Sequence, residues 1–159
     1  MNHSTPPISP ESGLLQKRQS GQLIYLGVLL FLLGLLVGFV VPALANPRMG
    51  LSSHIEGVMN GMFLMLLGLI WSRLQLSARW LKVSLWLALY GTFANWLAML
   101  IAALFNAGKT LTVAAMGKEG PPAAEAVIMF LLVTLSLAMV IVCLAVLVGL
   151  KRGMKAAAV

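Results

Sequence analysis

The chain has 159 residues, 60% of them hydrophobic and 9% charged, with a formal net charge of +7. A soluble globular domain carries roughly 25% charged residues, so the composition excludes one and points to a membrane protein. The single cysteine, Cys143, excludes an intrachain disulfide and a thiolate metal cluster.

The opening segment, MNHSTPPISPESG, is polar and rich in Pro and Ser, and predicts a disordered tail over residues 1–20. Lys17 and Arg18 then precede an apolar run at residues 23–45. That run exceeds the ~7–15-residue apolar core of a secretory signal, so it reads as a membrane span, although ALANP at 43–47 has the small-residue pattern of a cleavage site. Further apolar runs follow at 55–71, 83–105 and 127–150. Each is close to the ~20 residues that a helix needs to cross a bilayer core. The expectation is an all-α integral membrane four-helix bundle over residues 21–152, with a short C-terminal tail at 153–159. The longest connection, residues 106–125, contains GKT at 108–110. It lacks both the upstream glycine spacing and the preceding strand of a phosphate loop, so nucleotide binding is excluded.

Basic residues predict the orientation. Lys17, Arg18, Arg73, Arg79, Lys82, Lys151, Arg152 and Lys155 flank one side of the four spans, and only Arg48, Lys109 and Lys118 flank the other. By the positive-inside rule both termini and the middle loop face the cytoplasm, across the cytoplasmic (inner) membrane. The same residues account for the net charge. Lipid headgroups are its partner, and no nucleic acid is needed to explain it.

The second span is chemically unusual. Its start, SSHIEGVMNGMF at 52–63, carries His54, Glu56 and Asn60, and ionisable groups at membrane depth are expensive without partners. At about 100° per residue, His54, Gly57, Val58, Gly61 and Met65 share one stripe, while Glu56 and Asn60, four apart, share another. Gly57 and Gly61 form a small-xxx-small pair that admits either a neighbouring helix or a flat aromatic body. His54, near the expected helix start, either faces headgroups or serves as a ligand. Glu56 either snorkels, meets the helix N-terminus, or carries protons in a small transporter. Asn60 lies about 9 Å deeper than His54 and wants a partner. The third span offers Tyr90, Thr92 and Asn95. Counting back from Phe105–Asn106 places Met99 about 10 Å and Asn95 about 16 Å below that end, so Met99 is expected level with Asn60 and Asn95 somewhat lower.

HIEGVMNGMF (54–63) resembles the His-x5-Asn-Gly-Met segment of the styrene oxide isomerase and hydroxylaminobenzene mutase family. GTFANW (91–96) is similar to the family's third-helix Gly/aromatic-Ala-Asn segment. Four spans, the short middle loop and the chain length extend the likeness over most of the sequence, and the wording at 52–63 is closer to the mutase branch. The resemblance implies a trimeric membrane enzyme with a small aromatic substrate and with haem b at subunit contacts. It implies His54 as axial iron ligand beside Gly57 and Gly61, and Asn60 and Asn95 as catalytic residues that orient substrate. The isomerases carry a tyrosine four residues after the third-helix asparagine, where this chain has Met99. The implied reaction is therefore rearrangement of hydroxylaminobenzene to 2-aminophenol by intramolecular oxygen transfer, with ferric haem as Lewis acid. Epoxide isomerisation and a proton-coupled transporter using Glu56 are the alternatives. A two-ligand cytochrome fits poorly with one histidine at a span, and a colourless, silent protein would indicate a scaffold.

Overall fold

Hydrocarbon offers a backbone no hydrogen-bond partners, so each apolar run satisfies its own peptide groups as a helix. The computed structural model describes residues 10–157, which form α1 (Pro10–Val40), α2 (Pro47–Ile70), α3 (Ala78–Phe105) and α4 (Pro122–Ala157). Short 3₁₀ turns lie at Val41–Ala43, Trp71–Arg73 and Lys109–Leu111, and there is no strand among the described residues. All four helices are long and apolar enough to cross a membrane. The expected all-α, four-helix membrane fold is present, and the protein is a multi-pass membrane protein.

The helices outrun the predicted spans, for local reasons. Residues 10–20, expected in the disordered tail, belong to α1; residues 1–9 lie outside the described residues. The last carbonyls of a helix need donors, and this first stretch of α1 supplies them to the end of α2. Gln16 Nε2 donates to the Trp71 and Leu74 carbonyls (2.6 and 3.1 Å), and Ser20 Oγ donates to Gly68 O (2.7 Å). In return Trp71 Nε1 donates to Gln19 Oε1 at 3.1 Å. At the other end α4 continues to Ala157, through most of the expected C-terminal tail; residues 158–159 lie outside the described residues.

α1 stops at Val40, short of the predicted residue 45, because Pro42 cannot donate a helical hydrogen bond and sits in a 3₁₀ turn. α2 starts at Pro47, eight residues before the predicted 55. Asn46 caps it by accepting from Met49 N at 3.2 Å, and Pro47 occupies the first helical turn, where its missing N–H costs nothing. His54 therefore lies in the third turn of α2 and not at its start. α3 begins after Ser77, whose side chain accepts from Trp80 N, and ends at Asn106, which takes the left-handed conformation (φ 52°) that closes a helix.

Each helix packs against the next in chain order. α1 also touches α3, whereas α1 and α4 do not meet among the described residues, so the bundle is open. Leu23, Leu64, Trp71 and Leu85 anchor a buried cluster toward the end that carries the termini, and Met49, Ala98, Ala102 and Ile128 anchor a second toward the opposite end. At that opposite end Glu125 gathers the long α3–α4 connection. Its carboxylate accepts from Gly108 N (2.8 Å), Lys109 N (3.0 Å) and Gly120 N (2.9 Å).

Candidate active site

Two knots fix the depth of every polar group in α2 and α3. Asn46 N donates to Ala103 O at 3.0 Å, and Asn46 Nδ2 donates to Asn106 Oδ1 at 3.1 Å. The start of α2 and the end of α3 are thereby level. Glu56 lies ten residues below Asn46 and Asn95 eleven below Asn106, about 15 and 16.5 Å at 1.5 Å per residue. They meet. Glu56 Oε2 accepts from Asn95 Nδ2 at 2.5 Å and from Asn60 Nδ2, one turn along α2, at 3.0 Å. Asn95, and not Met99, is thus the α3 residue that shares the site with Asn60. Met99 is buried with Met49, Ala98 and Ala102 in the second cluster. The expected register was too shallow because α2 begins two turns before its apolar run.

The other polar residues of α3 are satisfied elsewhere. Tyr90 Oη pairs with Thr134 Oγ1 of α4 at 2.5 Å, and Thr92 Oγ1 donates to the Ala88 carbonyl of its own helix at 2.8 Å. Ser53, fully buried, donates to the Trp96 carbonyl and adds a further link between α2 and α3 (3.3 Å).

His54 looks the other way. Its Nδ1 lies 2.9 Å from the Gly34 carbonyl of α1. A carbonyl only accepts, so Nδ1 donates this hydrogen bond. Such a second hydrogen bond orients ligating histidines and raises their basicity. The ring borders an apolar groove of about 550 Å³ whose walls include Leu32, Leu35, Leu36, Phe39 and Leu51. Gly38 makes room for it, since a Cβ there would come within 2.8 Å of His54 Nδ1.

The stripe that continues from His54 is occupied by α1 itself. A Cβ on Gly57 would meet Gly34 Cα at 2.5 Å and the Trp96 ring at 2.9 Å; one on Gly61 would meet Phe31 N at 2.6 Å. Gly57 and Gly61 therefore act in helix packing, opposite Gly34 and Gly27 of α1. No flat body fits between them and α1. The groove beside His54 remains open to one.

His54 and Glu56 are two residues apart, about 200° around a helix. One chain consequently brings Glu56, Asn60 and Asn95 together but leaves His54 on the opposite side of α2. Sequence reasoning did not single out Gly34 and Gly38, although their spacing on α1 matches the stripe on α2. It also left Glu56 at the helix end, whereas Glu56 is the centre of the polar cluster.

Four membrane helices holding a carboxylate–amide cluster on one side of α2 and an oriented imidazole on the other define a multi-pass membrane protein with a polar site at depth. The comparisons with known proteins give the particular kind. A family model described as styrene oxide isomerase matches residues 19–151. Hydroxylaminobenzene mutase HabB of Ectopseudomonas oleovorans is 52% identical over 133 residues, 83% of this chain and 81% of that protein. Hydroxylaminobenzene mutase HabA of the same organism is 43% identical over 127 residues, 79% and 94% of the two chains. No solved structure gives a match. The chain belongs to the styrene oxide isomerase family, and its chemistry is that of an intramolecular isomerase or mutase.

Proposed function

We propose that this chain is a membrane-embedded mutase that converts hydroxylaminobenzene to 2-aminophenol, moving oxygen from nitrogen to the ortho ring carbon within one molecule, with haem b held by His54. The observation that carries the cofactor is the His54 imidazole, pinned through Nδ1 to Gly34 O on a ring that borders an apolar groove. A porphyrin brings four nitrogen ligands of its own, so one imidazole suffices to hold it. The names of the two relatives support the substrate.

Ferric haem, if held by His54, would supply Lewis-acid chemistry toward the hydroxylamine oxygen. The protein does the rest. Asn60 and Asn95 hold the substrate's polar end, while groove walls such as Leu35 and Phe39 keep water from the electron-poor ring. The N–O bond breaks and a C–O bond forms at the ortho carbon. One proton leaves that carbon and one joins nitrogen, so atoms and electrons balance without an outside reductant.

His54 and the asparagine cluster lie on opposite sides of α2, and in this reading a second copy completes the site. The His54 side of one copy faces the asparagine side of the next. Such a heterologous contact closes into a ring, for which the trimer is favoured. By the charge count both termini face the cytoplasm and the site opens toward the outer side of the cytoplasmic membrane. Purified protein given hydroxylaminobenzene should yield 2-aminophenol on chromatography. A para-aminophenol product, or no conversion, would overturn the proposal.

A further inference from the structure

Glu56 Oε2 is the atom that both asparagine side chains reach, Asn60 from the next turn of α2 and Asn95 from α3. An amide that turns its nitrogen toward a carboxylate turns its carbonyl oxygen away. Three oxygens are then left over: Glu56 Oε1, Asn60 Oδ1 and Asn95 Oδ1. No hydrogen bond among the described residues reaches any of them, yet they are not sealed in the protein. The buried polar side-chain atoms without a partner are Ser84 Oγ and Trp96 Nε1. The indole N–H of Trp96, the nearest spare donor in sequence, is thus out of a ligand's reach. Each amide keeps one further N–H, so the cluster offers three acceptor oxygens, each with two lone pairs, against two N–H groups. Hydrocarbon supplies no donors to such oxygens.

We infer that Glu56 is a positioning residue that sets substrate selectivity: by engaging both amide nitrogens, it presents an acceptor-rich surface to a ligand that brings its own N–H and O–H donors. An aryl hydroxylamine brings both. An aryl epoxide brings only an acceptor oxygen and leaves the surface unpaired, and unpaired polar groups are what give a site its strongest discrimination. The inference rests on the mutase reading for the identity of the hydroxylamine, while the preference for donors is a property of the cluster alone.

The test compares aniline, which has N–H donors, with N,N-dimethylaniline, which has none. Calorimetry on the full-length purified protein gives both dissociation constants without requiring turnover. In Glu56→Ala the amides are released, and the preference for aniline over the dimethyl compound should fall about tenfold relative to wild type. Glu56→Gln keeps the side-chain size but trades an acceptor for a donor, and should lower the preference about threefold; it carries the test if the alanine variant aggregates. A purely structural role weakens both ligands alike. An unchanged preference in a folded variant overturns the inference. Failure of the mutase reading shows separately, as a wild-type protein that prefers aniline yet leaves hydroxylaminobenzene unconverted, and that result leaves the donor preference standing.

Discussion

On the side of α2 that carries His54, the closest contacts with α1 are made at backbone. Gly57 sits on Gly34, Gly61 on Gly27 and Phe31, and the imidazole leans on a main-chain carbonyl. On the side that carries Glu56, contact with α3 is made by side chains, with one carboxylate bridging two amides. The first arrangement tolerates no added volume, because backbone cannot move aside. The second tolerates changes of shape but not of hydrogen-bonding character. One helix thus carries a rigid, backbone-packed half and an adjustable, side-chain-bonded half; in the proposed function the first holds the cofactor and the second selects the substrate.

The largest effect is expected on the rigid half. Gly57→Leu drives a side chain into the Gly34 backbone and should cost about 3 kcal/mol or more, seen as loss of folded protein from detergent extracts or a steep fall in Tm. Gly21→Ala is the contrasting control: nothing lies within 4 Å of the position where its Cβ would sit, so Tm should hold or rise slightly. A Gly57→Leu protein as stable as wild type would mean that α1 and α2 do not approach in this way.

His54→Ala should come next. It leaves the glycine contacts intact, so the protein stays in the membrane, but the Soret band of the purified sample should disappear. Full haem retention would remove His54 from the iron. Asn60→Ala belongs to the selecting half: it should keep the Soret band and lower kcat about 100-fold, the scale of a misplaced substrate. Wild-type turnover in that variant would take Asn60 out of the site. The mildest outcome sharpens the comparison most. Co-expressed His54→Ala and Asn60→Ala chains should regain part of wild-type turnover, since a mixed oligomer contains contacts where an intact His54 side meets an intact asparagine side. No recovery, with mixed oligomers shown to form, would place both halves in one chain.

Much of this was legible in the sequence, and what was missed has local causes. The four spans follow from apolar runs, because hydrocarbon leaves the backbone no alternative to a helix. The stripe from His54 through Gly57 and Gly61 follows from helical periodicity. Apolar runs do not mark helix ends, however. Asn46-Pro47 is a capping signal eight residues ahead of the predicted second span, and it moves His54 from the first turn to the third. That shift sets the register of α2 against α3, and the register decides that Glu56 meets Asn95. Gln16, Gln19 and Ser20 were read as tail because they are polar. Their role depends on the exposed carbonyls and indole N–H at the far end of α2, which no local pattern discloses. The glycine stripe was legible as a close-contact surface, but its occupant was not, since a helix and a flat ring demand the same absence of side chains.

The central claim is that oxygen moves within one substrate molecule in a site that keeps water out. Its most direct test is turnover of hydroxylaminobenzene in ¹⁸O-water, with mass analysis of the aminophenol. Bond-breaking that releases a cationic ring to solvent would let water supply the new oxygen. Transfer inside a dry site retains the substrate's own oxygen. The account predicts 2-aminophenol without ¹⁸O above a no-enzyme control. Substantial ¹⁸O in the product would contradict it.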